Sequence, residues 1–140
     1  MTNELPKPLP APLASPDGAH YWAAAAEGRL EVQYCSECAT HQFPPGHLCR
    51  NCGAEGLSWR AVSGRGRIHT FSIVYRAPTP AFRGRVPYTV ALIDLDEGPR
   101  MMTNIVGAGA LECTIGDTVE VCFEDRAGGA MIPQFRLVGR

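Results

Sequence analysis

Apolar and polar residues alternate with a period of two over most of this chain, and a helical period is confined to one short stretch near its start. Arg67–Arg76 (RIHTFSIVYR) places Phe71, Ile73 and Tyr75 on one face. Tyr88–Leu95 (YTVALIDL) is apolar on both faces, which suits a strand covered on each side. Arg100–Val106 (RMMTNIV) follows, then Thr118–Glu124 (TVEVCFE) with Val119, Val121 and Phe123 inward, and Ile132–Val138 (IPQFRLV). Glu97-Gly98-Pro99 and Ile115-Gly116-Asp117 are turn signals between them, and Gly64-Arg65-Gly66 and Gly107-Ala108-Gly109 read as further turns. Five strands without a helical segment predict a small closed Greek-key barrel of the OB type, with an SH3-like barrel as competitor. Closure removes sheet edges, which matters for so small a unit.

Ahead of the barrel, Leu30–Tyr34 alternates as a strand that runs straight into Cys35. Residues 17–28 (DGAHYWAAAAEG) predict a short helix, with Asp17 as N-cap, four alanines favouring helix and Gly28 as terminator. Such a helix is marginal alone and must dock. Tyr21 and Trp22 supply its sticky surface, and burial of Trp22 in the chain's own core is expected over an interface role. Residues 1–16 carry Pro6, Pro8, Pro10, Pro12 and Pro16, and so read as an extended arm, either a loose tail or a strap across a partner subunit.

The most specific signal is Cys35-Ser36-Glu37-Cys38 followed by Cys49-Arg50-Asn51-Cys52. Each pair can set two thiolates on one side of a tight turn, and two such turns face to face close a tetrahedral S4 site, most often around Zn2+. Disulfides are the alternative, set aside for the regular pairing. Gly53 suits the turn after the second pair; Ala39 stands at the matching place in the first, so the two turns are expected to differ. His41 and His47 are not needed as ligands and are taken as surface residues. Leu57 and Trp59 are expected to cover the metal site or the domain junction. The fold expected is therefore mainly β: a short helix and rubredoxin-like zinc ribbon, then a five-stranded OB barrel. The division is an arm at 1–16, helix plus ribbon at 17–56 and barrel at 57–140. Domains this small bury only about 60–65% of their unfolded surface, so a structural zinc should contribute strongly to folding.

Composition changes this picture in two places. No apolar run approaches the ~18 residues that span a bilayer, and prolines stand where a signal peptide would have its apolar helix, so a cytoplasmic location is expected with Cys113 and Cys122 reduced strand residues. The net charge of −1 argues against wholesale polyanion binding, yet residues 60–85 hold Arg60, Arg65, Arg67, Arg76, Arg83 and Arg85 with no acid among them. Phe71, Tyr75 and Phe82 are interleaved and Tyr88 follows. The stretch is either a solvated face, a phosphate site or a single-strand nucleic-acid groove. The long loop Ala77–Pro87 is the favoured ligand-contacting segment. No nucleophile elbow, Walker loop, HExxH or convincing carboxylate pair is present, and an S4 site has no open position at which to activate water.

The order of parts, with "GRLEVQYCSEC", "FPPGHLCRNCG", "GRGRIHTFSIVYR", "VPYTVALIDLDEG" and "IGDTVEVCFE", resembles a widespread bacterial and archaeal zinc-ribbon/OB-fold family of acyl-CoA-associated proteins, long labelled a domain of unknown function. The resemblance covers residues 17–140. It implies Cys35, Cys38, Cys49 and Cys52 as zinc ligands and no catalytic residue. It also implies an accessory subunit that pairs with a thiolase-like enzyme, aldolase or MaoC-type hydratase and helps enclose an acyl-CoA. On that reading Arg67, Phe82, Arg83, Arg85 and Tyr88 are the expected ligand-contacting set. A single-strand nucleic-acid module is the alternative function, and a rubredoxin-like iron carrier a third.

Overall fold

The computed structural model describes residues 8–139. After irregular chain and a turn at 16–18 comes helix α1 (Ala19–Ala26), then strands β1 (Glu31–Cys35), β2 (Thr40–Gln42) and β3 (Ser58–Ala61). These strands form an antiparallel sheet in the order β2-β1-β3. The remaining strands are β4 (Arg65–Val74), β5 (Tyr88–Leu95), β6 (Arg100–Val106), β7 (Thr118–Asp125) and β8 (Met131–Leu137), closed into a barrel in the order β4-β5-β6-β8-β7. The β6–β8 pairing is parallel and the others are antiparallel. Single 3-10 turns at Pro80–Phe82, Ala110–Glu112 and Ala127–Gly129 fill the connections.

The helix starts one residue later than its sequence suggests. Gly18, not Asp17, is the N-cap, and its N–H donates to the Ser15 hydroxyl at 3.1 Å. The end is as expected: Gly28 is left-handed (φ 78°), its N–H reaches Ala25 O and that of Arg29 reaches Ala24 O, the paired bonds of a Schellman stop. Tyr21, not Trp22, is the residue that enters the core; Trp22 is half-buried and packs edge-on to Tyr21 at 4.9 Å. Trp22 projects from the helix nearly a full third of a turn away from Tyr21, so a single narrow contact face cannot bury both.

One apolar core serves both halves of the molecule. Tyr21, Leu30 and Val32 from the helix and β1 belong to the same buried cluster as Ile68, Ile93, Ile105, Val119 and Phe135 of the barrel. The expected face Phe71, Ile73, Tyr75 is realised only in part, because β4 ends at Val74, and a β-bulge between Ile68 and Thr70 shifts the strand's phase ahead of Phe71. Gly66 and Ile68 point inward before it, and Phe71 and Ile73 turn toward the core after it, while Tyr75 lies beyond the strand and is 76% exposed. Val119 is fully buried, whereas Val121 and Phe123 sit half-buried at the core's margin. Cys113 is buried but follows a 3-10 turn and is not in a strand.

Gly64-Arg65-Gly66 is not a turn; it is the seam where β4 enters the barrel. Gly66 pairs with Leu95 on one side and Val119 on the other. A Cβ on Gly66 would fall 2.5 Å from the Asp94 carbonyl oxygen, and one on Gly64 would fall 2.3 Å from Val121 Cγ1. Backbone cannot yield as a side-chain tip can. Gly66→Ala is therefore expected to destabilise by about 2 kcal/mol or more, as overpacking does, with a urea midpoint well below wild type. An unchanged midpoint would remove Gly66 as the closure point.

Candidate functional site: a four-cysteine cage and an end-of-barrel cleft

The two CxxC turns meet as the spacing predicts. The four Sγ atoms lie within 4.8 Å of one another, and Cys35–Cys52 and Cys38–Cys49 are each 3.6 Å apart. A tetrahedral Zn–S4 centre with ~2.3 Å bonds has S···S edges of about 3.8 Å, so the cage fits the ion. Four thiols this close also conflict electrostatically. Hydrogen bonds from Asn51 and then Thr40 pull the Cys38 thiol down to about 6. At Cys52 the Ala54 backbone pulls downward, but the Cys35 sulfur, burial and then the Cys38 and Cys49 sulfurs outweigh it and push the thiol up to about 12. A divalent cation at the centre resolves that conflict, because every sulfur can then be a thiolate.

The turns are more alike than their sequences. Ala39 (φ 57°) and Gly53 (φ 78°), each directly after the second cysteine of its pair, are both left-handed. Ala39 thus adopts a conformation disfavoured by about 1–2 kcal/mol for a residue with a Cβ, which the closed cage imposes. His41 and His47 are outside the four-sulfur group; His41 packs against Tyr34 with ring centres 4.8 Å apart. Trp59, in β3, packs on the margin of the core shared by ribbon and barrel, as expected of a residue at the junction; it also stacks on His20 at 4.6 Å, and His20 Nε2 contacts Glu31 at 2.8 Å.

The six arginines of residues 60–85 do not form one patch. Arg60 lies 3.7 Å over the Tyr34 ring. Arg67 faces Asp94 across β4–β5, seven residues along the strand from Val74, which pairs with Tyr88. That places it roughly 20 Å from the 77–87 loop. Arg85 donates to both carboxylate oxygens of Glu124, at 2.7 and 2.8 Å. Of the expected ligand set, Phe82, Arg85 and Tyr88 come together, lining a cleft of about 360 Å³ at the end of the barrel where β5 begins and β6 ends. Arg83 is on the same loop but not in the lining, and Arg67 does not reach it. Sequence reasoning missed the opposite wall, Asn104–Gly107 with Ala110 and Leu111, and missed Glu124. Only the fold joins these to the loop.

Glu124 is the hub of the cleft's polar edge. It accepts from Arg85 and Arg126, and more distantly from Gln134 Nε2 at 3.4 Å. Burial pushes its carboxyl upward, but the hydrogen bonds from Arg126 and Arg85 more than offset this, so it titrates below the ordinary 4.5. The pair is fully present above that ordinary value and is lost as pH falls through the lower folded value.

Two shallower apolar grooves lie on the outer wall. One is lined by Thr70, Val90 and Leu92; the other runs by Trp22, Phe43 and Ile132. They share Val90 and Met102, and Met102 is 70% exposed.

Metal removal supplies the direct test of the cage. One zinc per chain is expected by elemental analysis. A strong chelator should lower the thermal midpoint sharply, since structural zinc can supply on the order of 10 kcal/mol of apparent folding free energy, and should collapse the amide dispersion of residues 31–61. A midpoint that ignores the chelator would make the metal dispensable to the fold.

Comparison with known proteins agrees with this anatomy. The rubredoxin-like zinc ribbon domain of ChsH2 matches residues 22–58 and the C-terminal OB-fold domain of ChsH2 matches residues 59–124. A probable enoyl-CoA hydratase alpha subunit of Thermomonospora curvata is 35% identical over 97% of this chain, which spans 42% of that relative's length. A DUF35 domain-containing scaffold protein of Methanothermobacter thermautotrophicus is 38% identical over 64% of this chain and 67% of its own. Among solved structures, a chain of the Ltp2-ChsH2(DUF35) aldolase superposes with a TM-score of 0.80 at 33% identity, covering 90% of this chain and 98% of that one. With its zinc-ribbon cysteines complete and its barrel closed in the OB order, the chain belongs to the ChsH2-type DUF35 family of zinc-ribbon/OB-fold proteins.

Proposed function

We propose that this chain is a non-catalytic, zinc-containing accessory subunit of acyl-CoA metabolism in the cytoplasm. It pairs with a larger thiolase-superfamily enzyme, thiolase-like aldolase or MaoC-type hydratase, and helps enclose that enzyme's acyl-CoA. The observation that carries the reading is the superposition, over nearly its whole length, on a chain of the solved Ltp2-ChsH2(DUF35) aldolase. Relatives named as a hydratase alpha subunit and as a scaffold protein support it. The chemistry supports it too: four sulfurs fill the coordination sphere of the metal, which leaves no position for a reactive water. No helix among the described residues is long and apolar enough to cross a membrane.

The Met102 strip is the surface that suits such a partner. Exposed contiguous apolar area on a small chain marks an interaction site, and Val90, Leu92 and Met102 present it without a charged residue in either groove. The acyl-CoA contact in this reading is the cleft of Phe82, Arg85 and Tyr88, with Arg83 at hand on the same loop.

Co-expression with a thiolase-superfamily or MaoC-type enzyme from the same organism should yield one complex by size-exclusion chromatography. Met102→Glu should weaken that complex at least tenfold while zinc content and thermal midpoint stay at wild-type values. Absence of a complex with either enzyme class, together with no acyl-CoA binding, would sink the proposal.

A further inference from the structure

The end-of-barrel cleft has the wrong electrostatics for the phosphates of coenzyme A and the right lining for something apolar. Arg85 is its one cationic wall group, and both oxygens of Glu124 already hold it. Asn104 is similarly committed: its Nδ2 donates to Thr89 O at 3.1 Å and its Oδ1 accepts from Gln134 at 3.3 Å. The side chains of the remaining wall include Phe82, Tyr88, Ile105, Val106, Ala110 and Leu111. A phosphate placed here would lose its hydration and find no free cation, which is prohibitive for a dianion. Arg65, Arg76 and Arg83, which carry no carboxylate partner among the described residues, all stand outside the lining.

We infer that this cleft receives the acyl chain of the thioester, and that the nucleotide end of coenzyme A is held elsewhere. The inference rests on the acyl-CoA reading above and specifies which end of the ligand this chain recognises. At about 360 Å³ the cleft is within the range of small-molecule sites, ~300–1,000 Å³. The Arg85–Glu124 pair ties the 77–87 loop to β7 and so holds Phe82 against the cleft, where its ring lies 6.0 Å from that of Tyr88. The pair acts as a clip on the wall and leaves the interior neutral.

The test is a chain-length series on the full, zinc-loaded chain with labelled methyl groups. Free coenzyme A and butyryl-, hexanoyl-, octanoyl- and decanoyl-CoA are titrated in turn. The Ile105, Val106 and Leu111 methyls should shift with the acylated ligands and stay still with free coenzyme A. Affinity should rise about fourfold per added methylene until the cleft is full, as burial of a CH2 predicts. Leu111→Trp, which fills the cleft, should weaken octanoyl-CoA at least tenfold with zinc content unchanged; Ala110→Leu serves if that variant does not fold. Equal shifts with free coenzyme A, no dependence on chain length, or undiminished binding by the filled variants would each overturn the inference. If the methyls respond to the partner enzyme and not to any acyl-CoA, the cleft is a protein contact and the inference falls, while the accessory-subunit reading stands. Loss of both complex formation and acyl-CoA binding would instead remove the reading itself.

Discussion

Strand β1 ties the whole molecule together, because its five residues serve two different cores. Val32 is fully buried among the side chains of the barrel core, and three residues on, Cys35 is buried in the sulfur cage. Neither core is self-sufficient. The ribbon sheet has strands of only five, three and four residues, which cannot bury enough apolar surface to offset their conformational entropy. The barrel in turn fills part of its core with Tyr21 and Leu30 from outside its own strands. A rigid strand that spans both makes metal binding and barrel packing a single cooperative event. That is why the cage belongs to the architecture and not to any reaction. The same linkage explains how Ala39 is kept left-handed: the four sulfur positions over-determine its backbone.

The seam at Gly64 and Gly66 imposes the complementary constraint. Closing five strands requires β4 to pair with β5 and β7 at once near its start, and the approach there is too tight for any Cβ. The strand keeps Phe71 and Ile73 toward the core after the bulge and ends at Val74, which leaves Tyr75 exposed and starts the 77–87 loop at that end of the barrel. The loop's position is thus a consequence of where β4 is pinned and where it ends. Its far side is fixed by Glu124, 39 residues later in the chain than Arg85.

What the sequence made legible and what it hid divide along this line. The cysteine spacing, the helix terminator and the alternating strands are local patterns, and β5 and β6 have the bounds that alternation predicts. The misread features all depend on partners far away in sequence. Gly64-Arg65-Gly66 has turn composition, and only contact with Asp94 and Val121 makes it a seam. The bulge that re-phases β4 leaves no mark in the pattern of Phe71, Ile73 and Tyr75. The run of six arginines reads as one basic patch in one dimension, yet the fold sends Arg67 and Arg85 to opposite ends of the barrel and neutralises Arg85 with an acid outside the run. Ala39 was misjudged for the converse reason. Residue type suggested two different turns, and the shared geometry of the cage overrode it.

Closure also dictates how such a chain can associate. A barrel closed in this order leaves strand backbone unpaired only where the short β4–β7 and β6–β8 contacts do not reach, so addition of a strand has little to build on. The edges of the ribbon sheet are β2 and β3, of three and four residues, too short to make a strong ladder. Recognition must then run through side chains, and the side chains left available fall into two sets of opposite character. The outer wall around Val90 and Met102 is apolar and shallow, the form of a surface meant for another surface. The end cleft is deeper, clipped on one side by an ion pair and lined with rings and aliphatic groups, the form of a receptacle for a single chain. On the proposed reading the first surface holds the enzyme and the second a portion of its ligand, and neither contributes a reacting group.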